Sequence, residues 1–365
     1  MHIVIDARVI NSGTGTYVRE LLNHLQQVDT STDYTVLVPS KDIDYWKPTS
    51  PNFTVMAADF DNYSLAEQFG YKKFLESLAP DLVHFCMPQQ PVFYRGRRVT
   101  TFHDMTLLKV YNSDKNWLVF HAKQLIGRWV WKRVAKISNH IIAISENTRQ
   151  EYMEYAAIPP EKISVVYEAA TESKNSLAPY ARLPYKEFIM YVGQQPDYKN
   201  IRRLGEAHQQ LLDQYPDLGL VLVGRLKEDA KRNQDYFTAR GFTNIHFTDY
   251  IPDDQRDWLF TQAKAYIFPS LMEGFGLPPL EAMTYGTPVV SSNASCMPEI
   301  LGDAPVYFDP TDINDMALKI GEVLGDEALR AQMIERGYRQ VAKYSWQRTA
   351  QQTHDIYMQV TKNAQ

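Results

Sequence analysis

AYIFPSLMEGFGLPPLEAMTYGTPVVS, residues 265–291, runs from one short apolar stretch to another through a turn that holds Glu273, Gly274, Gly276, Pro278 and Pro279. AYIF (265–268) and PVVS (288–291) have the make-up of strands buried on both faces. Between them, Pro278 and Pro279 cannot lie inside a helix, although the first helical turn accepts proline. LEAMTY therefore belongs to a helix that starts near 278, and Gly286 closes it as the residue just past its last turn. Strands that alternate with helices in this way belong to a parallel sheet. Glu273 then lies on the loop, and Glu281 in or just past the first helical turn.

This loop offers two services. Its N–H groups and the helix dipole can hold a diphosphate. The two carboxylates can accept bonds from hydroxyls. A molecule with a diphosphate and two sets of vicinal hydroxyls is a nucleotide sugar. A helix N-terminus favours Glu281 without any ligand, but that leaves Glu273 and the glycines unexplained.

The same alternation extends to both ends of the chain. In the first half, strands are predicted at 2–6, 34–38, 53–57, 82–86, 98–102, 140–144 and 163–166, with helices at the YVRELLNHL segment, 64–78, 115–137 and 147–156. The stretch TESKNSLAPYARLPY (171–185) is polar and carries two prolines, as linkers do. Strands resume at 188–192, 218–223, 244–247, 265–268, 288–291 and 305–308, and a last helix covers 345–361. The fold class is α/β, with two doubly wound parallel-sheet domains facing a central cleft. The boundaries are 1–175 for the first domain, 176–186 for a linker and 187–344 for the second domain, followed by a terminal helix at 345–365. In such sheets ligands bind at the carboxyl ends of the strands.

A chain of 365 residues is long enough for two cores. A net charge of -5 gives no electrostatic case for nucleic-acid binding. Cys86 and Cys296 fit no metal or redox spacing, and so few thiols suit a reducing cytosol. No apolar run approaches the roughly 20 residues of a spanning helix. Asp6 and Arg8 stand where a signal peptide would keep its apolar region, so the N-terminus reads as a first strand.

Three other places draw attention. Gly13 and Gly15, between the first strand and its helix, read either as a plain turn or as an anion-binding loop. His103, with Asp104, follows the strand at 98–102, where a histidine can donate to a sugar hydroxyl, meet developing charge or move a proton. Lys199 and Asn200 stand after Gly193, where the next helix should begin, and a lysine at that turn suits a phosphate. A solvated surface lysine is the plain alternative.

EGFGLPPLEAM (273–283), followed by GTPVVSSNASCMPEI (286–300), closely resembles the retaining GT-B glycosyltransferases of family 4. The likeness spans nearly the whole chain, through FHD (102–104), AISENTR (143–149), VGQQPDYKN (192–200), YIPDDQRDWLFTQAKAYIFPS (250–270) and SWQRTAQQTHDIY (345–357). Mannosyltransferase-like members of surface-polysaccharide assembly look most similar. The resemblance implies a GT-B fold and roles for particular residues. Glu281 would bind the donor ribose. Glu273, with the backbone of Gly274, Phe275 and Gly276, would hold the transferred hexose. Leu277 would offer its amide to the diphosphate, and Lys199 would meet phosphate oxygens. His103 would lie beside the sugar near the breaking bond. Gly13 and Gly15 would face the phosphates, the nucleobase would lie near Tyr250 and Ile251, and the last helix would cross back to the first domain.

Many relatives carry an arginine where this chain has Gln194; Arg225, which follows Gly224 at the end of a strand, is either its best substitute or a solvated residue of the rim. The implied reaction retains anomeric configuration and needs no divalent metal or other cofactor. The donor is GDP- or UDP-linked, and the acceptor is a glycan or a lipid-linked glycan. The implied location is the cytoplasm. The aromatic and basic segment 116–140 would be either a peripheral contact with the inner membrane face or an ordinary amphipathic helix. Two readings compete with the transferase: a non-catalytic nucleotide-sugar-binding GT-B protein and a nucleotide-sugar 2-epimerase.

Overall fold

Strands that are apolar at every position have no face to give to water, so both faces of each sheet must be covered by helices. The computed structural model, in which residues 1–109, 117–171 and 176–362 are described, forms two such sheets. The first is parallel, with strands β1 (His2–Asp6), β2 (Asp33–Val38), β3 (Phe53–Ala57), β4 (Leu82–Phe85), β5 (Arg98–Phe102), β6 (His140–Ala143) and β7 (Ile163–Val165) in the order β3-β2-β1-β4-β5-β6-β7. Ile5 pairs with Val36 on one side and with His84 on the other, so β1 sits where the strand order reverses.

The second sheet, also parallel, holds β8 (Phe188–Val192), β9 (Gly219–Val223), β10 (Ile245–Phe247), β11 (Ala265–Phe268), β12 (Val289–Ser292) and β13 (Val306–Phe308). Its order is β10-β9-β8-β11-β12-β13, so the reversal lies between β8 and β11.

The chain divides into two compact units, Met1–Glu168 with Ser345–Gln365, and Ala169–Tyr344. The second unit therefore begins before residue 176, and part of the expected linker 176–186 is packed onto it. Tyr180 is buried and its hydroxyl meets His246 Nε2 at 3.0 Å, while the Ala178 N–H bonds the Asp254 carbonyl at 3.3 Å. Two prolines and a polar composition do not reveal a segment anchored by one aromatic ring.

The helix Gly15–Val28 buries Tyr17, Val18, Leu21, Leu22 and Leu25, as its periodicity predicts. The last helix, Trp346–Lys362, folds with the first unit, and its Tyr357 hydroxyl meets His84 Nδ1 at 2.6 Å. The predicted helix at 64–78 starts as a π-type turn, Ala66–Tyr71, before the α-helical Lys72–Ser77. In the helix Trp117–Ile137, Val130, Trp131, Val134 and Ala135 enter the core, whereas Leu125, Ile126 and Trp129 are exposed. Residue 116 and the side chains of Trp117, Phe120 and Lys123 lie outside the described residues. No helix of the described residues is long and apolar enough to cross a membrane.

Candidate functional site

The second sheet's reversal brings the ends of β8 and β11 together, and with them two loops about seventy residues apart in sequence. Lys199 Nζ lies 2.6 Å from Glu273 Oε1, with only 17% and 12% of the two side chains exposed. Burial alone pulls the Lys199 pKa down, but the Glu273 carboxylate, with Tyr191 and Tyr198, lifts it well above lysine's usual range. The ammonium also lies over the rings of Tyr198 and Phe268. An ammonium has three donors, so the bond to Glu273 leaves two for other oxygens.

Backbone bonds lock this arrangement. The Leu271 N–H bonds the Tyr198 carbonyl at 2.8 Å. Asn200 takes a left-handed conformation, φ 63°, and its amide donates to the carbonyls of Pro269 and Pro310 at 3.1 and 2.7 Å. Ser295 Oγ accepts from the Glu273 N–H at 3.3 Å and donates to the Glu273 carbonyl at 2.8 Å. The Asn200 bonds to Pro269 and Pro310 and the Ser295 bonds to Glu273 are encoded by no local pattern, because each reaches across the sheet end.

The helix after the loop runs Leu277–Thr284, one residue earlier than 278, with both prolines in its first turn. Proline has no N–H, so this helix start offers an anion the amides of Leu277 and the preceding loop rather than a full set. Gly276 precedes it at φ 88°, and a Cβ there would come within 2.8 Å of Met297 Cε. Phe275 is buried, edge-on to Tyr344, and anchors the loop through its side chain. Gly286 follows the helix at φ 72°, as the C-terminal residue should. Glu281 projects from this helix, and its field, with Asp253 and Asp257, outweighs the burial of Arg256 and raises that guanidinium's pKa.

A separate cavity of about 250 Å³ opens at the ends of β8, β9 and β10. Gln194, Arg225, Tyr250, Ile251 and Arg256 line it, so the chain brings Arg225 into the same cavity as Gln194. The Arg225 guanidinium lies 5.1 Å from the centre of the Tyr250 ring, which is 64% exposed.

In the first unit His103 is buried at the end of β5. Its Nε2 lies 2.9 Å from the Cys86 carbonyl and its Nδ1 3.5 Å from Glu168 Oε1, and the Tyr17 ring packs edge-on at 4.9 Å. Glu168 was not legible as a partner, since it stands 65 residues away on the loop after β7. Gly15 starts its helix where a Cβ would fall 2.0 Å from the Ile10 carbonyl oxygen, and its N–H is taken by Ser12. A close approach within the chain accounts for that glycine; Gly13 has open space around it.

Two family models match the chain: Glycosyltransferase Family 4 over residues 11–170 and Glycosyl transferases group 1 over residues 175–340. O-antigen chain mannosyltransferase B of Escherichia coli is 30% identical over 286 residues, covering 73% of this chain and 72% of that protein. Serotype-specific mannosyltransferase WbdA of Escherichia coli is 27% identical over 98% of this chain, which spans 47% of that protein's length. Among solved structures, sucrose-phosphate synthase from Thermosynechococcus elongatus matches with a TM-score of 0.78 at 17% identity, over 100% of both chains.

Proposed function

Because the chain belongs to the glycosyl transferases group 1 family, with the two parallel-sheet domains of the GT-B fold, we propose that it transfers mannose from a nucleotide-diphosphate sugar to a glycan or lipid-linked acceptor. Transfer proceeds with retention of anomeric configuration and without a bound divalent metal. An O-antigen chain mannosyltransferase and a serotype-specific mannosyltransferase among its relatives support mannose and surface-polysaccharide synthesis.

The observation that carries this reading is the Lys199–Glu273 pair at the reversal point of the second sheet, beside the loop amides of 274–277. Breaking a glycosyl–diphosphate bond leaves negative charge on the departing oxygens. Fixed donors aimed at that charge are the largest lever a protein has. Lys199 keeps its charge and two free donors, and it takes the place of a metal. Glu273 both holds Lys199 and accepts a hydroxyl of the sugar being moved, so one contact sets the spacing between leaving group and sugar. Glu281 binds the ribose, the base lies beside Tyr250 and Ile251, and Arg225, which lines the same cavity, serves the diphosphate. His103 acts near the sugar. In this reading the protein also associates weakly with anionic membranes through exposed Leu125, Ile126 and Trp129, beside Arg128 and Lys132. Co-sedimentation with anionic vesicles at low salt tests that contact, and its absence removes it.

The direct experiment incubates the protein with GDP- and UDP-linked hexoses and a mannose-containing acceptor, with and without chelator. Donor-dependent elongation that survives EDTA is expected. Donor epimerisation without elongation would make the protein an epimerase, and loss of activity in EDTA restored by magnesium would remove the metal-free claim.

A further inference from the structure

We propose that Glu168 is a positioning residue for this reaction, keeping His103 as a doubly protonated ring whose Nδ1–H is the donor left for substrate. The use made of the ring rests on the transferase reading; the proton count does not.

Two acceptors face the His103 ring. The Cys86 carbonyl, 2.9 Å from Nε2, has no hydrogen to give, so Nε2 must carry one. Nδ1 faces the Glu168 carboxylate at 3.5 Å. A neutral ring with its hydrogen on Nε2 would turn a lone pair toward that negative charge. A ring protonated at both nitrogens suits both partners.

Glu168 leads to the same proton from the other side. It is 4% exposed, and among the described residues no other cation lies within ion-pair distance of it. A carboxylate removed from water without a partner is strongly disfavoured.

The other groups facing the ring do not compete for this role. The Tyr17 hydroxyl is engaged with Thr101, and burial raises its pKa well above the ordinary value. Burial likewise raises the Cys86 thiol. Burial, and then the charge of His103, lower the His84 pKa to about 3, so that ring is neutral. Asp104 accepts from the Thr106 N–H. A charged N–H to carboxylate bond normally closes to about 2.7–2.9 Å. At 3.5 Å the Nδ1–H is only partly used, and a substrate hydroxyl can share it.

The test is nitrogen NMR on full-length protein labelled at histidine, with the His103 signals assigned by their loss in His103→Gln. At about pH 7 both His103 nitrogens should be pyrrole-type in the wild type, and Nδ1 should become pyridine-type in Glu168→Gln. In the same variant kcat should fall about tenfold with donor KM within about twofold, and Glu168→Asp should recover part of the loss. A pyridine-type Nδ1 in the wild type overturns the proposal, and that spectrum decides even if Glu168→Gln fails to fold or the protein transfers no sugar. Two pyrrole-type nitrogens that persist in Glu168→Gln, or an unchanged kcat in that variant, also overturn it.

Discussion

Lys199 Nζ and Glu273 Oε1 lie 2.6 Å apart, joining the loop after β8 to the loop after β11 across the reversal of the second sheet. The residue expected at phosphate and the residue expected at the sugar are each other's partner. Removing Lys199 alone leaves a largely buried carboxylate without its cation, which costs roughly 3 kcal/mol of stability when such a pair is broken from one side. Lys199→Ala should therefore lower the melting temperature as well as nearly abolish turnover. Lys199→Ala with Glu273→Ala should be less destabilised than the sum of the single changes. Thermal unfolding of the three variants checks this, and simple additivity would mean the pair is uncoupled.

Glu273→Ala and Glu281→Ala should differ in kind. Glu281 should hold the ribose equally in ground and transition states, so its loss should mainly raise donor KM. Glu273 should position the reacting sugar and Lys199, so its loss should mainly lower kcat. Each charged hydrogen bond is worth about 1.5–3 kcal/mol. Equal, small effects from both in steady-state kinetics would make the carboxylates structural.

Arg225 shares a cavity with Gln194, and a charged donor there is roughly twice as strong as the neutral amide. Arg225→Ala should lower kcat about tenfold, or ~1.4 kcal/mol of transition-state stabilisation. Unchanged kcat and donor affinity, with Lys199→Ala inactive, would leave Lys199 and the loop amides as the sole leaving-group contacts.

Acid should destabilise the fold through buried neutral histidines. His208 donates from Nε2 to the Leu218 carbonyl at 3.0 Å and accepts from Gln209 at Nδ1, so the neutral ring satisfies both contacts. Burial lowers its pKa to about 4, with the Leu218 carbonyl opposing. Unfolded, it takes a proton near pH 6.5, so its stabilising contribution is full above about 6.5 and is lost as pH falls toward and through about 4. The amount is roughly 3 kcal/mol. Urea unfolding between those pH values should be steeper in pH for the wild type than for His208→Gln; equal slopes would contradict it.

Much of this was legible because strands buried on both faces are written as unbroken apolar runs. The thirteen strands of the described residues stand within a residue or so of their predicted positions, including β1 and β11, whose ends match. Gly286 and the two prolines marked their helix because they constrain the backbone directly. What did not show were relationships set by strand order. Nothing local says that β8 lies beside β11, so the Lys199–Glu273 bond, the reach of Asn200 to Pro269 and Pro310, and the Glu168 partner of His103 were hidden. The packed Tyr180 inside an apparent linker failed for the same reason: its partner, His246, is 66 residues away.

Under the proposed function this chain moves a hexose with retention, using Lys199 in place of a metal. The most direct measurement is proton NMR of the first glycoside formed from an α-linked nucleotide–mannose donor in the presence of EDTA, with Lys199→Ala alongside. An α-linked product from the wild type and almost none from Lys199→Ala is the expected result. A β-linked product, or full activity without Lys199, would contradict it.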